Sequence, residues 1–366
     1  MPPVSITNAR IFDGDKIARP EDQEVITIDE TGLISGGLVG STIDGKGMTL
    51  LPGLWDTHVH LSTPEGPALS TAKSIPLLNN MIRCGITTAI DCGRMDREQY
   101  DSIRARDDLP DVRFAGNFAT STGSIHSKFL MADKESLVDD VEAATEFVNQ
   151  RIKQGAQYIK IVADTPGPSQ EVVNQLSQEA RAHGKLSIVH AARKTAWDMA
   201  LNAEPKVDII THVPMDEPLT AEDAAKMARL EVVSVPTLVM SSALCNSGFR
   251  PEYKMSVAIE SVKQLHRAGV TILVGTDSNQ SPIGVKHGES LFREMELLGE
   301  AGMTNEEILK AATSLSAKSF QIPDRGTIAP GQRADLILVD GDPVMDLQAL
   351  RNVRKAWKAG REVFSV

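Results

Sequence analysis

From residue 50 the chain alternates short apolar runs with longer stretches at helical spacing. Eight runs occur, at 50–55, 86–91, 112–118, 158–162, 186–190, 207–212, 231–238 and 270–275. Strands that are apolar on both faces suit a parallel sheet, because crossover helices cover both of its sides. Eight successive strand–helix units predict an α/β protein built on a closed (β/α)8 barrel. The intervening helices carry their own signals. Over 139–153, Val141, Ala144, Val148 and Ile152 form one stripe, and Gly155 is placed to end the helix. Thr304 and Glu307 make a capping box ahead of Ile308 and Leu309.

The flanks read differently. Residues 4–50 hold short strands, at 4–12 before Asp13-Gly14 and at 24–29 before Gly32, with glycines punctuating the rest. After about residue 324 strands return, at 326–328, 334–339, 353–358 and 362–366. The simplest arrangement is a small β-sandwich domain from both termini, 1–50 with 325–366, around a barrel over 51–324. The length agrees: a barrel of roughly 250 residues leaves about a hundred for a second unit.

Composition excludes several classes. A formal charge of −11 argues against nucleic acid and anionic membranes as partners. Cys84, Cys92 and Cys245 form no C-x-x-C pair, which fits free thiols in a reducing compartment. Met1-Pro2-Pro3-Val4-Ser5 lacks a basic segment followed by an apolar run, and no apolar stretch nears the roughly 18 residues of a membrane span. A cytoplasmic protein is expected.

Strand ends carry the chemistry. Asp56-Thr57-His58-Val59-His60, the Lys160 strand, Ile188-Val189-His190, Ile209-Ile210-Thr211-His212 and Val274-Gly275-Thr276-Asp277 place four imidazoles, an amine and a carboxylate where strands 1, 4, 5, 6 and 8 run out. That end of an α/β barrel is its active face. His58 and His60, two apart on extended backbone, share one side and can share one metal. Asp56 is placed to orient a histidine. Lys160 sits inside an apolar strand, where burial favours the neutral amine, and a neutral amine can take up CO₂ as a carbamate bridging two cations. The alternative is a Lys that snorkels to the strand end or pairs with a carboxylate. Asp277 can ligate a metal and shuttle a proton, or simply cap a helix. Two divalent ions fit the whole set, zinc first, with Mn, Fe or Co compatible.

With Pro52-Gly53-Leu54 before the H-x-H pair, Pro236-Thr237-Leu238, His287-Gly288-Glu289 and the tail from Asp324 to Leu336, the chain resembles the amidohydrolase superfamily. It is most similar to the binuclear prolidase-like and ochratoxinase-like branch, with imidazolonepropionase more distant. The resemblance implies a distorted barrel with a sandwich from both termini. It implies one metal on His58, His60 and Asp277, another on His190 and His212, and a carboxylated Lys160 with a bridging hydroxide between them. It also implies a substrate contact for His126 and assembly with copies of itself. After His212 the run Val213-Pro214-Met215-Asp216-Glu217 lacks the aromatic residue common in prolidase-like relatives, which disfavours peptide-type substrates. Tyr253 and Arg250 are polar groups placed in a mouth loop after strand 7, or at a solvated helix start.

The expected activity is hydrolysis of a small-molecule amide, cyclic or N-acyl, at a carbon–nitrogen bond other than a peptide bond, with a dipeptidase-like reaction as a variant. Lactone or ester hydrolysis, metal-dependent decarboxylation and ring opening suit the same site. A mononuclear deaminase-like site would leave Lys160 unmodified. A non-enzymatic scaffold conflicts with a complete ligand set.

Overall fold

The structure, a computed structural model, describes residues 2–18, 25–62, 67–129 and 133–366. Seven short strands come first: β1 (Val4–Thr7), β2 (Arg10–Phe12), β3 (Ile17–Ala18), β4 (Ile26–Ile28), β5 (Ile34–Gly36), β6 (Ser41–Asp44) and β7 (Met48–Pro52). Seven more alternate with helices: β8 (Leu54–Val59), β9 (Ile86–Asp91), β10 (Asp111–Phe114), β11 (Tyr158–Val162), β12 (Leu186–His190), β13 (Ile209–Thr211) and β14 (Val233–Val235). Three close the chain: β15 (Leu336–Asp340), β16 (Val353–Lys358) and β17 (Arg361–Ser365).

The middle strands are all parallel, in the orders β10-β9-β8 and β11-β12-β13-β14. Single parallel bridges connect these sheets. Ala119 pairs with Ile161 beside β11, Ser234 of β14 pairs with Ile272, and Ser278 pairs with Val59 of β8. Hydrogen-bonded neighbours therefore run from β8 round to residues 272–278 and back to β8. Trp55, Ile90, Tyr158, Ile188, Ile209, Val235 and Leu273 join one buried cluster. Each such side chain is worth about 1.5–3 kcal/mol of transfer free energy. Lys160, His190 and Thr211 lie two residues beyond Tyr158, Ile188 and Ile209. Period-two alternation therefore puts them on the same side of their strands, one layer further along.

The chain termini meet in a six-stranded sheet, β17-β16-β15-β7-β2-β3, beside a four-stranded sheet, β5-β4-β1-β6. Ile6, Ile28 and Ile34 of the smaller sheet pack with Leu50, Leu336, Leu338 and Trp357 of the larger.

Several expected elements break where local geometry demands it. The 4–12 strand divides at Asn8, whose φ of +59° turns the chain from one sheet into the other. The 50–55 run divides at Gly53, whose N–H reaches Asp335, just ahead of β15, while the next N–H, of Leu54, reaches Gly85 near β9. A Cβ on Gly53 would lie 2.1 Å from Thr87 Oγ1, so only glycine allows the crossing. The 112–118 strand stops at Phe114 before Gly116, at φ +71°. The 231–238 strand stops at Val235, because Leu238 begins the helix Leu238–Ser247. The 270–275 run makes a single bridge, at Ile272, without a regular strand, and 326–328 forms no strand. Residue 24 of the expected 24–29 strand lies outside the described residues. The helix Val141–Lys153 starts after the N-cap Asp140, and its buried face is Ala144, Phe147, Val148 and Arg151, leaving Val141 exposed. The Thr304–Glu307 capping box is present in full.

Gly53→Ala is expected to destabilise the fold by about 1–3 kcal/mol through overpacking. Urea unfolding measures it, and adding Thr87→Ala is expected to return part of the loss.

Candidate metal centre

Six of the seven expected site residues gather at the C-terminal side of the parallel strands, and the seventh, His126, lies beside them in the short helix Ile125–Phe129. β8 runs out into His58 and His60, and Lys160 lies in β11. β12 ends on His190, His212 follows β13, and Asp277 follows the 270–275 run. His58 Nε2 stands 3.3 Å from His60 Nε2, 3.5 Å from Asp277 Oδ1 and 3.3 Å from Lys160 Nζ. His60 Nε2 is 3.0 Å from the same Asp277 oxygen. Two nitrogens held about 2.1 Å from one tetrahedral ion stand about 3.4 Å apart, so the His58–His60 spacing fits shared ligation. Ligand atoms of His58, His60 and Asp277 all fall within 4.8 Å of one another. On the far side His212 Nε2 lies 2.7 Å from His190 Nδ1, and the His58 and His212 rings are 5.2 Å apart. This donor set, imidazole nitrogens with a carboxylate, suits divalent ions.

Ring orientation comes from threonines that the sequence reading did not single out. His58 Nδ1 meets Thr211 Oγ1 at 2.5 Å, and His212 Nδ1 meets Thr237 Oγ1 at 2.5 Å. With each Nδ1–H donating to its hydroxyl, both Nε2 lone pairs face the site. Thr237 belongs to the Pro236-Thr237-Leu238 triple noted above. His212, Thr237 and Asp277 all hold positive φ, at +68°, +51° and +56°. Three such non-glycine residues at one place mark stored backbone strain.

Asp56 does not orient an imidazole. Its carboxylate accepts from Thr276 N at 2.9 Å and Thr276 Oγ1 at 2.7 Å, and only the backbone N–H of His58 reaches it, at 3.4 Å. It ties β8 to the residue preceding Asp277. His126 sits beside the pair of later histidines, with its ring 4.5 Å from that of His190. Its Nδ1 lies 3.2 Å from Asp164 Oδ2, a partner four residues beyond Lys160 and readable only as a further polar residue at that strand's end. Arg250 pairs with Glu252 at 3.6 Å, and Tyr253 is half-buried, its hydroxyl pushed up to about 12 mainly by burial.

Burial dominates the electrostatics. It drives His58 and His190 well below the ordinary imidazole range, helped by Lys160 and the neighbouring rings. Burial also takes His212 to about 3, against the attraction of Asp277. These imidazoles are neutral at pH 7, with lone pairs available for a cation. Burial lowers Lys160 as well, against the pull of Cys92, Asp277 and Asp91. Lys160 is 2% exposed, which removes the snorkelling alternative, and its nitrogen contacts His58 rather than a carboxylate. Asp277 feels burial too, but the His60 hydrogen bond and the charges of His212, His60 and Lys160 hold it below the ordinary range.

Comparison with known proteins gives the family and the fold. Residues 49–363 match the Amidohydrolase family. Ochratoxinase of Aspergillus niger is 24% identical over 367 residues, covering 85% of this chain and 75% of that protein. Imidazolonepropionase of Nocardia farcinica is 22% identical, covering 93% and 90%. Among solved structures, a Xaa-Pro dipeptidase with bound methionine superposes at a TM-score of 0.84, with 24% identity and full coverage of both chains. Aspergillus niger ochratoxinase superposes at 0.85 with 21% identity, covering 100% and 96%. The fold is therefore shared along the whole chain, and the resemblance to the prolidase-like and ochratoxinase-like branch is borne out. No helix among the described residues is long and apolar enough to cross a membrane.

The unfolded chain binds protons near pH 6.5 that the folded imidazoles refuse. Stability from the depressed histidines is thus full above about pH 6.5 and is lost as pH falls toward the folded value of about 3. Ring-resolved NMR of metal-free protein is expected to find His212 neutral down to about pH 3. Denaturant titrations are expected to show stability declining over that window.

Proposed function

The chain belongs to the amidohydrolase family, and we propose that it is a metal-dependent hydrolase of a small-molecule amide, cyclic or N-acyl. His58, His60 and Asp277 would hold one divalent cation, zinc first, and His190 and His212 a second. Lys160, carboxylated by CO₂, would lie between them. The observation that carries this reading is the convergence of six side chains from five separate segments of the chain, with His58, His190 and His212 neutral and the lysine amine buried. Divalent cations held by these residues would supply a water made nucleophilic near neutral pH and a Lewis acid for the carbonyl.

The protein's own groups do the rest. Asp277, held ionised, is placed to take a proton from the attacking water and return it to the departing nitrogen. Lys160, with its tip in a dry strand, loses its ammonium proton at low cost and can enter carbamate chemistry. Asp164 holds one ring nitrogen of His126 and leaves the other for a polar group of the substrate. The relatives named for ochratoxin, imidazolonepropionate and Xaa-Pro dipeptides favour a carbon–nitrogen bond.

The same reading extends to architecture and setting. We take the ring of parallel strands as a distorted (β/α)8 barrel over 51–324, supported by the bridges that join its two sheets. We take 1–50 and 325–366 as a β-sandwich domain, supported by the shared six-stranded sheet. A cytoplasmic setting accords with three free cysteines.

Zinc-loaded protein is expected to turn over at least one of N-acyl amino acids and cyclic imides faster than lactones. Asp277→Asn at equal metal content is expected to lower kcat by about 10²–10⁴-fold with a far smaller change in KM. Steady-state kinetics on both proteins decide this. Near-normal kcat in the variant would remove Asp277 from proton transfer, and turnover of lactones alone would overturn the amide assignment.

A further inference from the structure

The helix Leu238–Ser247 begins without the cap its sequence offers. A helix start leaves backbone N–H groups without partners, and a threonine at the N-cap ordinarily accepts from one of them. Thr237 holds that position, yet its hydroxyl makes no cap bond, because it is engaged 2.5 Å from His212 Nδ1. Its backbone is left-handed, at φ 51° and ψ 47°, an unfavourable state for a β-branched residue. The missing acceptor comes from elsewhere. Glu294, in the helix Ser290–Glu300, is fully buried, and its Oε2 accepts the Val239 N–H at 2.6 Å. The Leu238 N–H also points to this carboxyl, while Oε1 has no hydrogen-bond partner.

We infer that Glu294 is a positioning residue for His212, acting through Thr237. By accepting the first N–H groups of the helix it releases the Thr237 hydroxyl from capping and holds the left-handed turn that aims this hydroxyl at the imidazole. The metal consequence rests on His212 being a ligand, as proposed above; the orientation consequence does not. Burial pushes the Glu294 carboxyl up to about 8, against those N–H groups, so acceptance by one oxygen rather than charge is the working feature. A glutamine can reproduce it, with its amide nitrogen in the place of the unpartnered Oε1.

The test uses Glu294→Leu, Glu294→Gln, Thr237→Val and the double variant Glu294→Leu/Thr237→Val in the full-length chain. Ring ¹⁵N NMR of metal-free protein reads the His212 tautomer and environment, and zinc titration against a competing chelator reads each site. Glu294→Leu and Thr237→Val are expected to shift the His212 ring signals alike. Both should weaken the second zinc about 10–100-fold and leave the first unchanged. The double variant is expected to be no worse than Thr237→Val, and Glu294→Gln to resemble the parent protein. If Glu294→Leu does not fold, Glu294→Ser, too short to reach Val239, carries the same expectations. His212 signals unchanged in the Glu294 variant, or both zincs weakened equally, would overturn the inference. A parent protein that takes up fewer than two zincs would instead count against the ligand assignment, and the metal-free ring signals would still decide the role of Glu294.

Discussion

Side chains alternate along an extended strand, and this period of two is the constraint on which the rest of the structure depends. In β11, β12 and β13 one residue of each strand joins a shared apolar cluster, and the residue two further on faces the site. The core thereby sets the height and direction of Lys160, His190 and Thr211. A register slip of one residue in any of these strands would turn its site residue to the opposite face of the sheet. Stability and site geometry are in this sense one property of the same strands.

Gathering four imidazoles, an amine and a carboxylate in a largely buried site is unfavourable unless their charges are relieved. Here the relief is proton loss: burial leaves His58, His190 and His212 neutral, and the lysine amine is pushed the same way. The result is a pocket of lone pairs with one carboxylate, an environment that a cation completes. The left-handed backbones of His212, Thr237 and Asp277 add strain of about 1–2 kcal/mol each. Thr276 with Asp56, and Glu294 with the helix behind Thr237, hold two of those turns in place.

Much of this was legible in the sequence because its signals were either periodic or rare. Alternating apolar runs and helical stripes located the strands, and eight histidines in 366 residues made those at strand ends conspicuous. What escaped was set by tertiary contact. The crossing at Gly53 depends on Thr87, which is remote in the chain, and the break at Asn8 depends on one left-handed residue between two sheets. Thr211, Thr237, Asp164 and Glu294 escaped because threonines and carboxylates are common and their spacing carries no message. Asp56 was misread because proximity in sequence favoured His58, whereas the N–H and hydroxyl of Thr276 together make the better partner.

The account requires that these converging groups hold two cations with a modified lysine between them. Crystals grown with zinc and bicarbonate, measured at the zinc edge, test it most directly. Two anomalous peaks are predicted, one about 2.1 Å from the Nε2 atoms of His58 and His60 and one at a like distance from His190 Nδ1 and His212 Nε2. Density continuing past Lys160 Nζ is predicted between them. A single peak or none, beside a bare Lys160 amine, would contradict it.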